Sequence, residues 1–260
     1  MRKLIKVAAS AAFYTVSLMP VFAETSKPTI VLVHGAFADS SSWNEVVSRL
    51  ENDGYPVVAV ANPLRGVKFD GEYVGHVLNG LKTPVVLVGH SYGGSVISEA
   101  AADADNVKAL VFVAAFAPEP GESAAALSSK EPGSTLAPTL AEPVVLEDGV
   151  KDLYIDQSKF PEQFAADVPL ADARLLAVTQ RPITDAALTE PVRKAGWKNI
   201  PSWFVYGDAD KNIPPTTLQW MAEPANSKGT VAVKGASHVV MISHPDEVTK
   251  LIETAAETIN

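Results

Sequence analysis

The sequence predicts an α/β fold, with a mostly parallel central sheet flanked by helices. Three observations predict it. Short β-branched runs recur along the chain and are apolar on both faces, as strands buried inside a parallel sheet are. Segments of helical periodicity alternate with those runs. The chain has 260 residues, 47% of them hydrophobic, which is enough for one sizeable core and fits one domain better than two.

The strand runs are Thr29–Val33, Val57–Val60, 85–88, 109–113, 203–206 and 230–233. Between them lie helical patterns at 43–52 and 95–102, and His76 falls in a polar helical stretch. The last helix is the clearest. Ser243 can cap it, Pro245 sits near its first turn, and Val248, Leu251, Ile252, Ala255, Ala256 and Ile259 share one face. One region breaks the alternation. Residues 118–196 are rich in Pro, Ala, Ser and acidic residues, with short helical signals at 161–166 and Leu170–Thr179 and no convincing buried strand. A long insertion after which core strands resume reads as a helical lid over a functional site.

The formal net charge is −9, so the basic footprint of a nucleic-acid or anionic-membrane binder is missing. There is no cysteine, which excludes disulfides, iron–sulfur clusters and cysteine zinc sites. Residues 1–23 have the pattern of a secretory signal peptide: Arg2, Lys3 and Lys6, then an apolar stretch from Val7 to Leu18, then Pro20 and small residues around a cut after Ala23. The apolar run is shorter than the ~20 residues of a spanning helix. The expectation is export, to the periplasm or beyond, of residues 24–260 as a single acidic domain with no membrane anchor. The sequence does not disclose an oligomeric state.

The chemistry starts at Leu87-Val88-Gly89-His90-Ser91-Tyr92-Gly93-Gly94. A Gly-x-Ser-x-Gly pattern alone is weak: roughly one chain in ten of this length carries one by chance, from the frequencies of Gly and Ser. Here it begins directly after a predicted strand and opens into a predicted helix, the setting of a strained nucleophile elbow. Ser91 would then stand at the carboxyl end of the sheet, with the positive end of the following helix behind it.

A serine hydroxyl needs a base. Of the five histidines, His90 should point away on an elbow and His76 is solvated. His34 suits a structural part or support of an oxyanion loop, and His244 sits beside the cap of the final helix, where it packs or is solvated. That leaves His238, just beyond the last predicted strand. The imidazole needs a carboxylate. Val205-Tyr206-Gly207-Asp208-Ala209-Asp210 offers two, with Asp210 preferred and Asp208 in reserve as a turn former. The order Ser91, Asp210, His238 is that of α/β-hydrolases. Each member lies just past a separate predicted strand, where open α/β sheets place their ligands. The expected oxyanion donors are the backbone N–H groups of Tyr92 and Ala36, with Phe37 in reserve.

These residues resemble the α/β-hydrolase superfamily over nearly the whole length after residue 23. More narrowly, the chain is similar to plant methylesterases, the related hydroxynitrile lyases and bacterial esterases of similar size. The resemblance rests on Val31-Leu32-Val33-His34-Gly35-Ala36 with Trp43, on the Ser91 stretch, on Asp210-Lys211-Asn212-Ile213-Pro214 followed by Gln219-Trp220-Met221, and on Gly235-Ala236-Ser237-His238. It implies an α/β-hydrolase fold, and it implies Asp210 rather than Asp208 as the acid. It also implies eight strands, against the six visible, so an early hairpin is shortened or absent. The lyases of the group carry a lysine directly after the catalytic histidine and a threonine in the first oxyanion loop. This chain has Val239 and Gly35-Ala36 instead.

The expectation is therefore a serine hydrolase without metal or cofactor, acting on an ester or lactone of a small, mainly apolar molecule. Phe116, Phe160, Phe164, Leu175 and Leu176 are candidate pocket walls. Another acyl or carbon–carbon hydrolysis or perhydrolysis on the same triad is one alternative. A ligand-binding protein of the same fold with little turnover is the other.

Overall fold

The computed structural model describes residues 27–147 and 149–259; the expected signal peptide at 1–23 lies outside the described residues. Six parallel strands form the main sheet: β1 (Thr29–Val33), β2 (Val57–Val60), β3 (Val85–His90), β4 (Val107–Val113), β8 (Ser202–Gly207) and β9 (Gly229–Val233), in the order β2-β1-β3-β4-β8-β9. All six runs read from the sequence are strands. β1, β3 and β8 are buried throughout and β4 almost so, as continuous apolar runs require. The two outermost strands differ. β2 is half-open and most of β9 is exposed, because an edge strand has a neighbour on one side only.

Helices α1 (Asn44–Asn52) and α10 (Pro245–Glu257) pack together, as do α2 (Val67–Gly80) and α3 (Tyr92–Ala101), and these pairs cover the sheet. α3 starts three residues before the periodicity suggested, directly after Ser91. α10 buries the predicted stripe of Val248, Leu251, Ile252, Ala255 and Ala256. Its cap departs from expectation. His244, not Ser243, is the residue before the first turn, and the Ser243 hydroxyl has no partner among the described residues. Ser243 instead ends the short helix α9 (Val240–Ser243).

The chain between β4 and β8 builds a separate layer. It holds α4 (Ala124–Ser128), α5 (Phe160–Phe164), α6 (Leu170–Thr179), α7 (Asp185–Thr189) and three short strands, β5 (Val144–Val145), β6 (Lys151–Leu153) and β7 (Ile183–Thr184). These strands form an antiparallel sheet in the order β5-β6-β7. The expectation of a purely helical insertion is corrected here. Strands of two or three residues are too short to show any periodicity, and their partners make them.

The strand order places the site. The chain leaves β1 for the sheet edge at β2, then returns to β3 on the other side of β1 and proceeds toward β4. Loops after β1 and β3 therefore diverge and leave a crevice between them, at the carboxyl end of the sheet. Among the described residues no helix is long and apolar enough to cross a membrane.

Candidate active site

Ser91 directly follows β3 at φ 53° and ψ −123°, a backbone conformation that costs a residue with a β-carbon about 1–3 kcal/mol. Three backbone hydrogen bonds hold it there. Its N–H donates to Val113 O (3.2 Å), and its carbonyl accepts from Gly94 N (2.9 Å) and Phe116 N (3.2 Å). The glycines of the motif are required by close approach. A β-carbon on Gly93 would stand 2.5 Å from Val33 O, and one on Gly89 2.6 Å from Gly93 O. Gly35 is as constrained, since its β-carbon would fall 2.6 Å from that of Ser91. The first loop thus lies directly against the elbow.

His238 and Asp210 meet as expected. The His238 Nδ1–H donates to Asp210 Oδ2 at 2.7 Å, and both side chains are buried. The other Asp210 oxygen accepts from the N–H groups of Asn212 (2.7 Å) and Ile213 (3.0 Å), so the loop after β8 aims the carboxylate. Asp208 is exposed and accepts from Gly235 N at 2.6 Å, the turn-forming part held open for it. With Nδ1 committed, His238 keeps Nε2 for a proton from Ser91. Both residues line one cavity; among the described residues no hydrogen bond joins them. Such contacts often tighten only when substrate enters.

His90 points away from the cavity. It is fully buried, its Nε2 donates to His238 O (3.1 Å), and its Nδ1 has no partner among the described residues. Burial, with the neighbouring His238, holds its pKa well below the ordinary value. His34 supports the first loop. Its Nε2 accepts from Asn62 N (3.0 Å), its Nδ1–H donates to Gly35 O (2.9 Å), and its carbonyl accepts from Asn62 Nδ2 (2.9 Å). Burial lowers its pKa to about 4, so it is a neutral strut at pH 7. His76 is exposed on α2. His244 lies 3.5 Å from Asp167 and 3.7 Å from Glu247.

Of the two candidate donors in the first loop, the Phe37 N–H is already engaged, donating to Arg181 O at 3.1 Å. Ala36 lines the cavity beside Ser91 and Tyr92.

The cavity measures about 400 Å³. Phe37, Phe116 and Ile213 from the sheet side and Leu136, Leu140, Phe164 and Leu188 from the insertion make its apolar wall. Of the expected wall residues, Phe116 and Phe164 line it. Phe160 packs behind Phe164 with ring centroids 4.8 Å apart, Leu176 faces elsewhere, and Leu175 is 63% exposed. Helical periodicity marked α6 as a helix but could not say which face would meet solvent. Leu136 and Leu140 were missed because they flank a single short turn, and Leu188 because its five-residue helix α7 is too short to show a pattern.

The profile of the alpha/beta hydrolase family matches residues 30–251. The chain belongs to this family. An alpha-hydroxynitrile lyase of Arabidopsis thaliana is 26% identical over 85% of this chain and 94% of its own length. A putative methylesterase 19 of Arabidopsis thaliana is 25% identical over 89% of this chain and 98% of its own. The crystal structure of polyneuridine aldehyde esterase superimposes with a TM-score of 0.75, at 21% identity, over 88% of this chain and 98% of that one, a likeness of fold. In this α/β-hydrolase the six-stranded sheet carries the family's architecture.

Proposed function

We propose that the protein is a serine carboxylesterase that cleaves an ester or lactone of a small, mainly apolar substrate. The observation that carries this is the buried His238–Asp210 pair, at 2.7 Å, whose imidazole lines the same cavity as a serine held on a strained elbow. Ser91 Oγ attacks the acyl carbon while His238 Nε2 takes its proton, and Asp210 stabilises the imidazolium. The N–H groups of Ala36 and Tyr92 receive the oxyanion. His238 then protonates the departing alcohol. Water, deprotonated by the same nitrogen, releases the acid and restores Ser91. We further propose that the chain is exported after loss of residues 1–23.

Cyanohydrin cleavage, the activity in one relative's name, releases cyanide, an anion that a nearby positive charge would stabilise. Among the described residues lining the cavity there is no lysine or arginine, and Val239 follows His238. Glu131 is the one carboxylate on that lining. Uncharged substrates suit such a wall, and anionic ones are disfavoured.

The test is hydrolysis of short-chain p-nitrophenyl esters with labelling by a fluorophosphonate. Ser91→Ala should lose both. Label on a different serine, or full turnover by the variant, would refute the reading.

A further inference from the structure

One short piece of the insertion, residues 181–184, bonds directly to the loop that carries Ala36 and to the loop after β2, which in turn reaches Tyr92. The Phe37 N–H, one residue past Ala36, donates to Arg181 O (3.1 Å). Leu64 O accepts from Thr184 N (3.1 Å) and Arg65 O from Thr184 Oγ1 (3.1 Å). The Arg65 guanidinium reaches Pro182 O (3.2 Å) and Asp152 Oδ1 of β6 (2.6 Å). From Arg65 the contacts run inward. Its N–H donates to Asp70 Oδ1 (3.1 Å), and Asp70 Oδ2 accepts from the Tyr92 hydroxyl (2.9 Å).

Asp70 and Tyr92 are buried, although the proposed reaction uses neither side chain. Phe37 and Leu64, which both bond to residues 181–184, stand at φ 60° and 62°. Positive φ is uncommon for bulky residues and persists where surroundings impose it. The insertion supplies a hydrogen bond at both places.

We propose that residues 181–184 and the chain Arg65–Asp70–Tyr92 are positioning elements of the oxyanion hole. They set where the Ala36 and Tyr92 N–H groups stand. The inference rests on the esterase reading above. Its physical basis is tolerance: a donor works when it is 2.7–3.1 Å from the developing oxyanion, and a shift of about 1 Å can cost 10²-fold. Backbone hydrogen bonds and close packing already fix Ser91 and the first turn of α3, and the bond from the Tyr92 hydroxyl to Asp70 adds a side-chain tether at the donor residue itself. The insertion thereby does more than wall the cavity. It couples its own seating to the geometry of catalysis.

Tyr92→Phe removes the inner bond, and Asp152→Asn loosens the outer one, away from the catalytic residues. Each should lower kcat on p-nitrophenyl acetate about tenfold, a fraction of the loss expected for a fully misplaced donor. KM should stay within about twofold, since ground-state binding does not use the donors. Affinity for a trifluoromethyl ketone, whose adduct with Ser91 carries the oxyanion, should fall by the same factor as kcat. Turnover is expressed per active site titrated, so unfolded molecules do not count. If Tyr92→Phe does not fold, Asp152→Asn carries the test. Variants with unchanged kcat and ketone affinity, or with raised KM alone, would overturn the proposal while an inactive Ser91→Ala control left the esterase reading standing. A fully active Ser91→Ala would overturn both.

Discussion

The His238 imidazole donates to Asp210 Oδ2 at 2.7 Å, while the second Asp210 oxygen is held by two backbone N–H groups. Three hydrogen bonds are thus accepted by a carboxylate that is itself buried. Asp210→Asn should keep this shape but offer an amide where the imidazole needs an acceptor, trapping the ring in the wrong tautomer. A loss in kcat of about 10⁴ is expected. Asp208→Asn should leave kcat within about twofold and cost only turn stability. Steady-state kinetics on the two variants side by side checks the assignment, and equal losses would refute it.

Glycines within the same fold divide sharply by environment. A β-carbon on Gly94 would lie 2.2 Å from Phe116 O, beneath the elbow. Gly94→Ala should fail to give soluble protein or lose several kcal/mol, since backbone must move. Gly75 on α2 meets nothing within 4 Å. Gly75→Ala should stabilise by up to about 1 kcal/mol through helix propensity. Urea denaturation reads both, and a destabilised Gly75→Ala would contradict the described environment.

Acid should weaken the fold before it titrates carboxylates. His34 falls from 6.5 to about 4 on folding, and burial moves His90 in the same direction. Between these values the unfolded chain binds protons that the native chain refuses, so stability is lost as pH drops from about 6.5 toward 4. For His34 alone this is of order 3 kcal/mol. Asp70, whose pKa burial raises, acts in the opposite sense, gaining as pH falls. Denaturation at pH 7.5 and 5.0 should show the loss, and His34→Gln should flatten it. A wild-type protein equally stable at both values would exclude this role for the buried histidines.

Cavity length should set the acyl-chain preference. Leu140 and Leu188 belong to the insertion and line the wall. Leu188→Trp should reduce kcat/KM for octanoyl esters by tenfold or more and leave acetyl esters within about threefold. A uniform loss across chain lengths would show that the cavity is not the acyl site.

Much of the site could be read before the fold was known. Ser91, Asp210 and His238 each follow a short run rich in β-branched, aromatic or other apolar residues, so their place at the carboxyl end of a strand follows from local pattern alone. Asp210 was separable from Asp208 by resemblance, and the structure supplies the contact to His238 that pattern could not. Asp70, Arg65 and Thr184 were invisible, because a lone Asp in a helical stretch gives no sign that a tyrosine hydroxyl will find it.

The sequence by itself determined the six strands, the helix after Ser91 and the position of three polar residues at strand ends, because those depend on hydrophobic runs and turn residues that are neighbours in the chain. The tertiary structure alone decided which strands became edges, which insertion residues wall the cavity, how β5, β6 and β7 pair, and where the Phe37 N–H goes. Those outcomes depend on partners far away in sequence, and local periodicity carries no information about a partner.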